Sequence, residues 1–351
     1  MHAFSAADLI SPAIKRTKWF LFDQFRLTTY LKLCLVAALT EGGFGGNFNV
    51  PGGSHAGGTT SHSSPTVFAP HNFGFSPFAI ALIAGIGILF IGVYLVLFYL
   101  VTRLRFALFY SLVYRTRAIR PGWRAYESQS WRFFLLNIAV GLVFLCTIAV
   151  VAIPFLLGFY RVFMSSQAGE PFNWPSFLAL LLPLIPLFIA IVLAGIVLHF
   201  ILQDLMLPHI ALENVSAGEA WRQVRARITS EKGGFALFAL LRVVLPIAAW
   251  ILAMLVLLIP AILLVLLFVV PVAGLAVLVG SSAGMAKALF ILLIAAVVVV
   301  GIAIFVTLGI SVTGPIGIGS RNYALLFYGG RYRALGDLID PPPTQVAAPS
   351  Q

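Results

Sequence analysis

Apolar residues run through most of this chain in blocks too long for the interior of a water-soluble domain, separated by short polar stretches. Phe78–Val101, Phe133–Gly158 and Phe177–Leu202 are each long enough to cross about 30 Å of hydrocarbon, which takes roughly 20 helical residues. Leu289–Val312 is a further span, followed by Thr313, Gly314 and Pro315, where a helix break is expected. From Phe235 to Gly280 only Arg242 carries charge, and Pro246, Pro260 and Pro271 punctuate the run. Leu27–Leu39 is shorter and spans only if Lys32 snorkels toward headgroups.

Polar stretches between these blocks have a helical pattern of their own. Ile10, Ala13, Ile14, Thr17 and Leu21 recur at helical spacing, with Lys15, Arg16 and Lys18 mostly off that stripe. Ser5 or Ser11 is the expected cap, with Pro12 in the first turn. Ser216 and Glu219 have capping-box spacing. Beyond them Trp221, Val224 and Ile228 share one face, and Arg222 and Arg225 lie elsewhere. Arg103–Tyr126 is the third basic stretch, leading into Trp131 and Phe133. A Trp-Arg pair occurs at Trp123–Arg124 and again at Trp221–Arg222. The expected fold is therefore all-α: a polytopic transmembrane helix bundle of about six spans in three hairpins, each preceded by a basic interfacial helix.

The residues divide into an amphipathic helix with a short apolar segment (1–41), a glycine-rich loop (42–77), the bundle (78–330) and a polar tail expected to be disordered (331–351). Residues 42–77 hold no Asp, Glu, Lys or Arg.

Composition fits this reading. The chain is 61% hydrophobic and 9% charged, far from the roughly 25% charged residues of soluble domains. Its net charge of +11 would suggest nucleic acid in a soluble protein. Here the cations flank apolar runs, so membrane lipids are the expected partner and nucleic acid is excluded. Residues 1–32 hold five Lys or Arg, 102–132 seven, 203–234 four and 321–333 three. The positive-inside rule puts all four segments in the cytoplasm, which requires an even number of crossings between each pair. Ala261–Gly280 is then re-entrant or partly crossing; the alternative is seven spans with the basic tail outside. No secretory leader is expected, because no apolar core follows Lys15–Lys18 at the usual distance.

Candidate chemistry is sparse. Cys34 and Cys146 lie in apolar runs and are expected to be packing residues, not a disulfide. His55, His62 and His71 match no compact metal-binding spacing. Arg242 is expected to snorkel to the surface. His199 and Asp204 lie about a turn apart near a span's end, where helix-end hydrogen bonding is the expected role. Gly314, Gly317 and Gly319 lack the strand and Lys-Ser/Thr of a phosphate loop and read as a flexible break. Asp204, His209 and Glu213 come nearest to a metal set. Neither a metal nor a cofactor is expected, and no catalytic residue is identified. Arg103, Arg105, Arg124, Asp204, Glu213, Trp221 and Arg222 are the candidate headgroup or partner contacts, with Asp204, Glu213 and Glu219 expected to face the arginines of 102–132.

The block Gln203–Arg222, with Arg103–Phe109, Ile119–Arg124 and Arg321–Phe327, resembles a family of uncharacterised bacterial multi-span membrane proteins. That family is itself distantly similar to the membrane domain of glycerophosphoryl diester phosphodiesterases. The resemblance implies a multi-pass protein of the bacterial inner (cytoplasmic) membrane and brings no catalytic residues with it. No stretch here is expected to form the soluble phosphodiesterase barrel. The expectation is a non-enzymatic integral membrane protein that interacts with lipid or scaffolds another membrane protein; the alternative is a permease for a small apolar or zwitterionic solute.

Overall fold

The computed structural model describes residues 5–23, 25–41, 77–167, 173–281 and 284–340. Every regular element assigned among them is helical. In order they are α1 (Ile10–Phe22), α2 (Leu27–Glu41), α3 (Pro77–Val113), α4 (Ile119–Ala125), α5 (Glu127–Gln167) and α6 (Trp174–Phe200). A π-helical turn (Ile201–Met206) leads into α7 (Leu207–Leu212), then α8 (Ala217–Ser230), α9 (Lys232–Ser281), α10 (Met285–Gly329) and α11 (Arg333–Ile339). The expected glycine-rich loop and its three histidines lie outside the described residues.

Five helices are long and apolar enough to cross a membrane: those covering Ala81–Val113, Glu127–Ser165, Trp174–Leu212, Lys232–Leu275 and Lys287–Gly329. α5 and α6 are antiparallel, with Leu180 filling the space beside Gly158 and Phe144 lying against Gly195. α9 and α10 are antiparallel too. Phe268 lies on Gly301, Phe238 stacks on Phe327 at 4.0 Å, and Glu231 bonds Arg331.

Burial is confined to one end of these helices. Phe106 and Phe109 of α3, Phe133 of α5, Leu205 and Leu207, Val224 of α8, Phe238 of α9, Phe327 of α10 and Leu335 of α11 form one core. The apolar arms beyond it are bare: Leu89, Val143, Leu182, Val256, Leu263 and Leu292 are all exposed. Continuous apolar surface on this scale suits hydrocarbon, since soluble proteins rarely expose large apolar patches. The four basic segments meet at the core end. Arg117 bonds the Phe20 carbonyl, Arg115 that of Ile339 and Arg132 the Asn214 side chain, while Arg331 pairs with Glu231.

Several expectations are corrected. α9 is one 50-residue helix, so Ala261–Gly280 continues Phe235–Pro260 instead of re-entering. Proline within it is tolerated because an apolar setting keeps the rest of the backbone paired along the helix. α10 likewise runs unbroken through Thr313–Pro315. Proline 315 cannot bond the Ser311 carbonyl, and the Tyr30 hydroxyl donates to it instead at 2.8 Å. Gly314 and Gly317 are packing positions. A Cβ at Gly314 would stand 2.5 Å from the Cys34 Cα, and one at Gly317 3.3 Å from the Ala37 carbonyl.

These contacts run α2 parallel to α10, with Tyr30 at Ser311, Cys34 at Gly314 and Glu41 against Gly317. α2 is therefore not the first half of a hairpin with α3: it ends at the core end, whereas α3 begins at the bare end. Neither Ser5 nor Ser11 caps α1, whose N-cap is Leu9. Residues 333–339, expected within a disordered tail, form α11 because Leu335 and Ile339 are one turn apart and both buried. Cys34 packs as expected, but Cys146 is exposed on α5.

Candidate functional site

Where the arms enter the core, each long helix delivers a polar side chain to one buried layer. Asp204 stands at its centre, its side chain 2% exposed. Arg321 of α10, 1% exposed, donates to Asp204 Oδ1 at 2.7 Å, and Arg242 of α9 donates through Nε to Oδ2 at 2.8 Å. A second Arg242 nitrogen reaches Glu41 of α2 at 3.1 Å. Arg105 of α3, also buried, donates to the Thr40 carbonyl at 2.7 Å and lies within electrostatic reach of both carboxylates. α5 joins through Asn137, which accepts from Gln203 at 3.2 Å.

The π turn explains why Asp204 and Gln203 sit here. The Leu207 N–H bonds back to Leu202, one residue further than in an α-helix. In that register the Gln203 carbonyl would accept from residue 208, which is proline and has no N–H. Arg321 supplies the missing donor at 2.8 Å with the same nitrogen that holds Asp204. One guanidinium thus serves an orphaned carbonyl and a buried carboxylate together. Fixed charges in apolar surroundings survive only when paired in this way.

Arg242 therefore does not snorkel; it is the bridge between Asp204 and Glu41. His199 stays within electrostatic reach of Asp204, whose two carboxylate oxygens accept from Arg242 and Arg321.

A second polar cluster lies further into the core end, around fully buried His209. Its Nε2 is 2.7 Å from the Tyr328 hydroxyl and 3.3 Å from Arg227, and its Nδ1 faces Glu213 at 3.5 Å. Arginine can only donate, so Nε2 is the acceptor and Nδ1 carries the proton toward Glu213. Tyr332 covers the ring at 4.2 Å. Burial works against an ionised Glu213, but the nearby Tyr332 hydroxyl, a hydrogen bond from Gln223 and His209 beside it hold its carboxyl below the usual range. Tyr328→Phe is expected to lower stability by about 1–2 kcal/mol, read as a fall in melting temperature in detergent. Unchanged melting would mean that Arg227 alone satisfies His209.

The sequence-predicted residues divide among several places. Arg105 and Asp204 meet in the charged layer, and Glu213 joins His209. Arg103 pairs with Glu127 at 3.2 Å and stacks on Trp123. Arg124, Trp221 and Arg222 are exposed, Arg222 pairing with Glu219. Asp204 has Arg105 of the 102–132 segment within electrostatic reach but makes its ion pairs with α9 and α10, while Glu213 and Glu219 bond side chains of α8. Asp204 does not converge with His209 and Glu213, and no metal-binding group of three His, Cys, Asp or Glu occurs among the described residues. Sequence reasoning missed Glu41, Arg321, Arg227 and Tyr328. The one available signal was Arg321 itself, a lone cation at the end of an apolar run.

A profile of a family of unknown function, DUF7544, matches residues 4–338. The chain belongs to that family. Comparison with curated proteins and with solved structures gave no match. The matched residues include both polar clusters and all five long helices.

Proposed function

We propose that this DUF7544 chain is a non-enzymatic, multi-pass protein of the bacterial cytoplasmic membrane. Its basic end lies at the cytoplasmic face against anionic headgroups, where it binds lipid or holds a partner membrane protein. The observation that carries this reading is the polarity of the molecule. Its core and nearly all its cations lie at one end of five apolar helices whose arms are bare. Cytoplasmic placement of that end follows from the positive-inside rule. A role without catalysis fits the central layer, whose three arginines are engaged by Asp204, Glu41 and the Thr40 and Gln203 carbonyls instead of facing a substrate.

Cysteine labelling tests the topology. In a background lacking Cys34 and Cys146, an impermeant maleimide added to intact cells is expected to modify Ser64→Cys and to spare Ser128→Cys. Labelling of Ser128→Cys alone would invert the topology and remove the cytoplasmic reading. A permease reading draws on the π turn beside the charged layer, since broken helices carry transporter sites. It requires water or solute to reach Asp204, whose burial favours the lipid-binding reading.

A further inference from the structure

Away from both polar clusters, α1, the turn after α3, the C-terminal part of α10 and the end of α11 line an open surface cleft of about 400 Å³. This falls within the range of small-molecule sites, roughly 300–1,000 Å³. Lys15, Arg16 and Arg115 line it, with Asp340 as the lining carboxylate. Pro12, Trp19, Leu326 and Ile339 form its apolar walls. The two guanidiniums are aimed by main-chain carbonyls: Arg16 donates to Leu112 at 2.7 Å and Arg115 to Ile339 at 2.9 Å. Each spends one nitrogen this way and retains further donors.

Like charges held together need a reason. Burial, with the Arg115 charge next to it, pulls the Arg16 guanidinium down to about 10, while Asp340 acts the other way. Arg115 is also held at φ 55°, a region side chains rarely adopt. An anion with several oxygens would relieve the repulsion, because guanidinium forks match phosphate geometry. Trp19 and the aliphatic wall offer an apolar flank beside that anion.

We propose that this cleft binds the phosphate of an amphiphilic phosphodiester, with the phosphate between Arg16 and Arg115, Lys15 at the rim and apolar groups against Trp19, Leu326 and Ile339. The proposal rests on the lipid-interacting reading above and gives it a site and a ligand class. A soluble phosphate ester shares the chemistry, and the test separates the two sources.

Full-length protein in detergent is titrated with dioleoylphosphatidylglycerol, dioleoylphosphatidylcholine or glycerol 3-phosphate, and bound ligand is counted by native mass spectrometry. One phosphatidylglycerol is expected to bind in preference to phosphatidylcholine. Lys15→Gln and Arg115→Gln should each weaken it about fivefold, the worth of one cation near a lipid surface. Asp340→Asn should tighten it by a similar factor, an outcome that damage to the fold would not produce. Arg120→Gln, exposed and outside the cleft, should change nothing. Glycerol 3-phosphate binding as tightly as the lipid, with the same variant pattern, would support the site and assign it a soluble ligand. Phosphatidylglycerol retention that is equal across wild type, Lys15→Gln, Arg115→Gln and Asp340→Asn would overturn the proposal, leaving the broader lipid reading standing. That broader reading fails separately, if the protein retains no lipid and stays monodisperse without detergent.

Discussion

Asp204→Ala is expected to destabilise the protein by about 3–5 kcal/mol, the cost of stranding a buried cation by removing its partner. Arg321 would lose its carboxylate while staying buried, and Arg242 would keep only Glu41. Five long helices share this layer, so the loss should spread beyond the π turn. Melting in detergent, followed by tryptophan fluorescence, gives the measurement. The double variant Asp204→Leu/Arg321→Met separates charge from shape, because removing a buried pair together is often close to neutral. It should recover much of the stability lost in Asp204→Ala, although the Gln203 carbonyl would again lack its donor. A melting temperature for Asp204→Ala within error of wild type would show that the layer does not hold the helices together.

The helical, membrane-embedded character of the chain was legible because hydrocarbon requires long apolar runs and the sequence contains them openly. So was the gathering of the basic segments at one end, since interfacial cations mark themselves in sequence. Continuity through Thr313–Pro315 and Pro260 was not legible. Proline and glycine signal a break when read locally, but a tertiary donor such as Tyr30 or a packed neighbour such as Cys34 reverses their meaning. Arg242 was misread for the same reason: snorkelling and ion pairing look alike until its partners are known. Glu41 lies 163 residues before Asp204 in the numbering and 201 before Arg242, and no local spacing connects them. The π turn was hidden as well, because it depends on Arg321 answering the carbonyl that Pro208 leaves free.

Gly314→Leu is expected to separate α2 from α10. The glycine Cα lies so close to α2 that even a Cβ would meet the Cys34 main chain at 2.5 Å. A clash with backbone cannot be relieved by a rotamer change, so the helix itself must move. Overpacking alone costs about 1–3 kcal/mol. Moving α2 would also strain the Tyr30–Ser311 bond and the Arg242–Glu41 pair, which adds to that cost. In a Cys146→Ser background, Cys34 provides a direct readout because it is fully buried in the native protein. Maleimide should modify it slowly in the parent and much faster in Gly314→Leu, with a lower melting temperature. Gly309→Ala is the control, since nothing lies within 4 Å of a Cβ there, and it should leave both measurements unchanged. If Cys34 stayed protected in Gly314→Leu, α2 would have to be held in place by α1 and α3 without help from α10, and the parallel α2–α10 contact would lose its structural role.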